Sequence, residues 1–115
     1  MPASPPNTSH PLKPVDFLIL LALADEDRHG YGILREIEAT TNGALILDTG
    51  NLYRSLRRLV ASAWIERLGP TRDGDERRRD YRLTKLGRSL MVTEARRMNE
   101  LMASPKLRGL VGDGT

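Results

Sequence analysis

Residues 49–59 read TGNLYRSLRRL. Leu52, Tyr53, Leu56, Leu59 and Val60 recur at i, i+1, i+4, i+7 and i+8, which is one face of an α-helix. Asn51, Arg54, Ser55 and Arg58 recur at i, i+3, i+4 and i+7 on the opposite face. The apolar side must dock on a core. The polar side carries amide, hydroxyl and guanidinium groups and no carboxylate, whereas an ordinary solvated helix interleaves Glu with Arg. Thr49 is the expected N-cap, and the helix is expected to run to about Ala63.

Toward the N-terminus, Phe17–Ala24 (FLILLALA) is the one continuous apolar run, too short to span a bilayer. Only Lys13 precedes it as a positive charge and prolines surround it, which argues against a signal peptide. Pro14 opens a first helix there, with Asp16 in its first turn. Residues 1–13 are rich in Pro and Ser and are expected to be a disordered arm. Asp25–His29 reads as a polar turn. A second helix is expected from Gly30 to about Thr41, with Tyr31, Leu34 and Ile37 as its buried stripe and Asn42-Gly43 as its stop.

Toward the C-terminus, WIERL and RDYRL flank the charged stretch GPTRDGDERR and read as a β-hairpin with a long tip. Thr84 then caps a fourth helix of roughly twenty residues, about 30 Å long. Met91, Ala95, Met98 and Met102 stripe that helix, widened by Leu86, Leu90 and Leu101. Ser104-Pro105 ends it, leaving 104–115 as a flexible tail in which KLRGLV is a candidate for a brief docked turn. The predicted fold is mainly α with a small β-hairpin: a winged helix-turn-helix over 14–83, followed by a long C-terminal dimerisation helix over 84–103.

The 115 residues suffice for one domain with a modest core, and 4% aromatics make that core aliphatic. The absence of cysteine excludes a disulfide scaffold and thiolate zinc sites, and fits a cytoplasmic protein. The net charge of +3 hides an uneven distribution. Asp16, Asp25, Glu26, Asp27, Glu36, Glu38 and Asp48 outnumber Arg28 and Arg35 in residues 16–48, whereas Lys and Arg predominate after residue 49. A basic patch on a small domain is the footprint of a polyanion binder.

Asn and Arg are the side chains that read adenine and guanine edges bidentately, and Ser contacts either. Asn51, Arg54, Ser55 and Arg58 therefore suit a major groove, with Thr49 at the helix start and Arg57 toward a flank that suits phosphate. Tyr53 can bury its ring and still offer its hydroxyl to a phosphate. Arg77 and Arg78 place cations on the return of the wing, where phosphate or the minor groove lies in reach. The rival reading is a winged-helix module that binds protein, but its third helix would carry apolar or acidic anchors.

No catalytic or cofactor constellation emerges. His10 sits in the arm, and His29 lies beside Asp25, Glu26 and Asp27 with too little around it for a metal site. Asp73-Gly74-Asp75 lacks the rest of a calcium loop. Gly30-Tyr31-Gly32 has no preceding strand and is not a dinucleotide loop.

The segments HGYGILREI, TGNLYRSLRRL, WIERL and RRRDYRLTKLGRSL together resemble the PadR family of bacterial transcriptional regulators, over roughly residues 15–102. The resemblance implies a dimeric repressor whose DNA binding a small-molecule effector relieves. It also implies that Tyr31, Tyr53 and the third-helix polar face approach DNA. Arg54 stands where the family usually has proline, Asn51 where it often has Thr, and Ala63-Trp64 where Gly-Leu commonly ends the third helix. The last departure is expected to alter the helix-to-strand turn.

The fourth helix has no evident partner within a domain already closed by three helices and a wing; the alternative is that it folds back onto that domain. Its apolar stripe (Leu90, Met91, Ala95, Met98, Leu101 and Met102) is expected to meet a second copy, aided by Phe17 and Leu21 of the first helix. Two-fold symmetry would then demand duplex DNA with a near-palindromic operator.

Overall fold

The computed structural model describes residues 12–69 and 79–112. Within them the chain forms α1 (Pro14–Ala22), β1 (Arg28–His29), α2 (Gly30–Thr40), α3 (Thr49–Ala61), β2 (Ile65–Leu68), β3 (Asp80–Leu83), α4 (Lys85–Met102) and α5 (Pro105–Val111). The sequence places α1 to α4 and both hairpin strands within two residues at each end. Most of the expected arm and the wing tip fall outside the described residues.

Three corrections concern secondary structure. The sheet has three antiparallel strands in the order β1-β3-β2, not two. Arg28 pairs with Tyr81 and His29 with Asp80, so the end of the expected polar turn becomes an edge strand. A two-residue strand carries no alternation to read. What fixes it is Arg28, whose Nε donates to the Ala22 carbonyl (2.7 Å) while its guanidinium pairs with Asp25, Glu26 and Glu36.

The second correction is the cap of α3. Asp48, not Thr49, stands at the N-cap, its carboxylate accepting from the Asn51 backbone N–H. The third is the tail. Ser104 and Pro105 do end α4, but they also open α5, with the Ser104 hydroxyl accepting from the Leu107 N–H. A serine followed by proline is both a stop for one helix and an N-cap and N1 for the next.

The other helix starts follow the same chemistry. His29 Nδ1 accepts from the Gly32 N–H at the head of α2 (3.0 Å). His29 is thus the N-cap of α2. Thr84 caps α4 as expected, its Oγ1 accepting from the Gly87 N–H, and the same hydroxyl lies 2.7 Å from the Ala63 carbonyl. That single residue ties the start of α4 to the exit of α3.

The exit of α3 answers the question raised by Ala63-Trp64. Ala63 donates to the Val60 carbonyl and Trp64 to the Leu59 carbonyl, a Schellman closure of ordinary length. The turn is therefore unaltered, and Ala63 adopts it at φ 65°, where a Cβ is strained. Ala63→Gly is expected to stabilise the fold by about 0.5–1 kcal/mol, read as a higher urea midpoint with unchanged m.

The core is aliphatic, as the composition predicts. Ile19, Leu20, Ile33, Ile37, Leu52, Leu56, Leu59 and Ile65 are fully buried, joined by Tyr81 and Trp64. Two glycines are there because the packing leaves no room for a side chain. A Cβ on Gly87 would strike the Trp64 carbonyl oxygen and come within 2.9 Å of Leu83 Cδ1. A Cβ on Gly30 would strike the Tyr53 hydroxyl and sit 2.7 Å from Cζ, so Gly30 lets α2 close on α3.

Candidate nucleic-acid interface

The buried side of α3 is Leu52, Tyr53, Ser55, Leu56 and Leu59, and its outer side shows Asn51, Arg54, Arg57 and Arg58. Ser55 is the correction here. It is 8% exposed, so it belongs with the core face. Arg57 takes its place on the outer stripe. A residue at i+4 from Asn51 is near the boundary of a wide apolar face, and Ser55 borders the same cleft as Val15 and Asp16 of α1.

Arg58 is also more constrained than its spacing suggests. Its guanidinium meets Asp16 Oδ1 at 2.5 Å, joining α3 to the first turn of α1 across 42 residues of chain. Asp16 is buried, whereas the Arg58 side chain is 44% exposed. Arg58 thus anchors the helix through one edge of its fork and presents the other to solvent. Its charge is shared with Asp16, so it neutralises a phosphate less fully than Arg54 can.

Arg54 is exposed and bonds within the stripe: its Nη1 donates to Asn51 Oδ1 at 2.9 Å. Asn51 in turn donates from Nδ2 to Asp48 Oδ2 at 2.7 Å. A cleft of about 390 Å³ opens beside these residues, lined by Lys13, Pro14, Val15, Asp16, Leu47, Asn51, Arg54, Ser55 and Arg58. Three cations, an amide and the start of α1 thus face one concavity.

Tyr31, expected in the buried stripe of α2, is instead exposed at its head, with the Arg35 guanidinium 5.6 Å from its ring centroid, and Ile33 with Ile37 form the buried stripe. Tyr53 is buried, its ring against Gly30. Thr49 is exposed beside the cap. Arg77 and Arg78 lie outside the described residues. On β3, the Arg82–Asp27 bond (3.0 Å) raises the guanidinium above its ordinary value, chiefly by hydrogen bonding and then by charge. This pair pins the sheet to the loop after α1.

The dimer-face residues separate into two groups. Met91 is buried in its own domain, with Leu90 and Phe17 packed partly against the same core. Those three are therefore partly used at home, because α4 begins by lying on α1. Leu21, Ala95, Leu101 and Met102 are exposed and Met98 is half-buried. Beyond them α5, the segment KLRGLV singled out within the tail, adds exposed Leu110 and Val111 as a helix and not a brief docked turn.

No helix among the described residues is long and apolar enough to cross a membrane, and none of their acidic, His or Cys groups cluster as a metal site.

Three packed helices, the third with its polar stripe outward, followed by a small sheet with a two-stranded wing, define a winged helix-turn-helix. Residues 19–93 match the transcriptional regulator PadR-like family, and the chain belongs to it. It is similar to H. salinarum RosR, at 27% identity, TM-score 0.67, with 90% of this chain and 89% of that one covered. A transcriptional regulator from Clostridium thermocellum gives 25% identity and TM-score 0.66, over 76% and 85%. Bacillus subtilis PadR, solved in complex with operator DNA, shares the fold at TM-score 0.60 and 17% identity, over 70% and 46%. Among curated proteins, uncharacterized protein X of Lysinibacillus sphaericus is 35% identical over 78 residues, 67% of this chain and 71% of its own length.

Proposed function

We propose that the chain is a sequence-specific DNA-binding regulator, a homodimer that reads duplex DNA with the outer stripe of α3 and grips the backbone with its wing. One observation carries this reading. The stripe Asn51, Arg54, Arg57 and Arg58 contains no carboxylate and stands on a helix whose other face is committed to the core. A major groove admits such a helix and rewards amide and guanidinium groups at base edges. That B. subtilis PadR is solved with operator DNA, on the same fold, supports the assignment.

Asn51 and Arg54 are assigned to base edges. Arg57, Thr49, Tyr31 and the exposed edge of Arg58 are assigned to phosphate, together with Arg77 and Arg78 of the wing. The burial of Tyr53 and Ser55 gives them a smaller share: they set the seat of α3 on α2 and α1. A protein-binding module would need apolar or acidic anchors on the stripe, which carries neither.

The dimer is assigned to Leu101 and Met102 with Leu110 and Val111, an exposed apolar surface that a second copy would cover. Two-fold symmetry would set the two α3 helices about 34 Å apart and require a near-palindromic operator. Repression, and its relief by a small-molecule effector, rest on family membership. The cavity at the α4–α5 junction, lined by Met102, Leu107 and Val111, is about 230 Å³, smaller than the usual ligand pocket.

Selection from a random duplex pool tests the function. Two inverted half-sites, with centres about 10 base pairs apart, are expected. A pool that enriches no sequence would remove the base-reading role.

A further inference from the structure

The polar groups along α3 form a ladder with a fixed direction. Asp48 Oδ1 accepts from the Asn51 backbone N–H at 2.8 Å, and Oδ2 accepts from Asn51 Nδ2 at 2.7 Å. Asn51 Oδ1 then accepts from Arg54 Nη1 at 2.9 Å. A carboxylate can only accept and a guanidinium can only donate. Turning the Asn51 amide over would set oxygen against oxygen at Asp48 and donor against donor at Arg54. The ladder therefore admits one orientation of the amide.

Asn51 keeps one N–H and one oxygen lone pair after these bonds, and Arg54 keeps most of its N–H donors. A donor beside an acceptor fits the adenine N6/N7 edge, and the guanidinium fork fits guanine O6/N7. Three residues advance roughly 4.5 Å along a helix, against roughly 3.4 Å between stacked base pairs. The two side chains thus suit neighbouring steps.

We propose that Asp48 is a positioning residue for base recognition. Through Asn51 it fixes the amide and the Arg54 fork, so that the pair reads adjacent base pairs as one unit, adenine by Asn51 and guanine by Arg54. Asp48 itself touches no base. A helix cap needs a single oxygen, which serine supplies as well as aspartate. The second carboxylate oxygen is the part that capping leaves unexplained, and it is the part bonded to the Asn51 side chain. This role rests on the DNA-reading function proposed above and adds the element that sets its specificity.

The test compares full-length wild type, Asp48→Ser, Asp48→Asn, Asn51→Ala and the double variant Asp48→Ser/Asn51→Ala, each selected against the same random duplex pool. Asp48→Ser keeps the cap and loses the second oxygen. Helical circular dichroism and salt slope are expected to stay as in wild type, while preference at the two adjacent steps falls about ten-fold. In the Asn51→Ala background the Asp48 change should alter nothing further. A frayed cap would weaken both backgrounds alike, and that outcome overturns the positioning role. Asp48→Asn keeps the cap but offers an N–H where Oδ2 stood, so loss at the same two steps is expected; it decides the matter if the serine variant does not fold. Unchanged preference at both steps in a folded variant overturns the role while leaving DNA reading intact. A wild type that enriches no sequence overturns both.

Discussion

Between 50 and 200 mM salt, affinity for duplex DNA is expected to fall about 10³–10⁵-fold. Each phosphate neutralised by Lys or Arg releases condensed counterions, and that release weakens as bulk salt rises. A dimer touching about 6–10 phosphates gives a loss of this size. Arg58 shares its charge with Asp16, which draws the expected slope toward the lower end of the range. A titration of binding against salt, read as log K against log salt, gives the number of contacts directly. A flat slope would mean that the cations of α3 face solvent or another protein, and the DNA-binding function would fall.

The parts of this molecule that sequence reveals are those set by local pattern. The α3 face was legible because Leu52, Leu56 and Leu59 are large, apolar and regularly spaced. The α4 start was legible because Thr84 precedes a helical run with no competing acceptor. The ends of α2 and α1 were legible from Asn42-Gly43 and Pro14. What stayed hidden is set by distant partners. Nothing near Arg58 in the chain announces that Asp16, 42 residues away, will hold it. Ser55 looks polar by type, but it is buried, and its residue type does not announce that. The edge strand at Arg28 and His29 needs both the Arg28 contacts and β3 beside it, and β3 lies about 50 residues further along the chain. Asp48 and Thr49 both cap well, so residue type alone does not tell which of the two adjacent positions is the N-cap. The hydrogen bond that Arg54 donates to Asn51 does follow from spacing, since residues three apart are neighbours on a helix.

Leu101→Asp combined with Met102→Asp is expected to give a folded monomer that binds the full operator about 10²–10⁴-fold more weakly than wild type. The choice of residues follows from burial. Met91 packs into its own domain and Leu90 lies partly against it, so a charge there would damage the fold and the dimer together. Leu101 and Met102 are 58% and 66% exposed, so their loss should leave the winged domain unchanged. If they meet a second copy, each aspartate buries a carboxylate in an apolar contact with no cation opposite, and the pair separates. One winged domain then binds one half-site, and the linked second binding event disappears. Losing such linkage typically removes 10²–10⁴ of avidity without touching a DNA contact. Light scattering reads the mass and fluorescence anisotropy reads the affinity, while binding to an isolated half-site should match that of one wild-type arm. A variant that remains dimeric would show that the copies meet elsewhere, with Leu21 and the outer face of α4 as the next surface to charge.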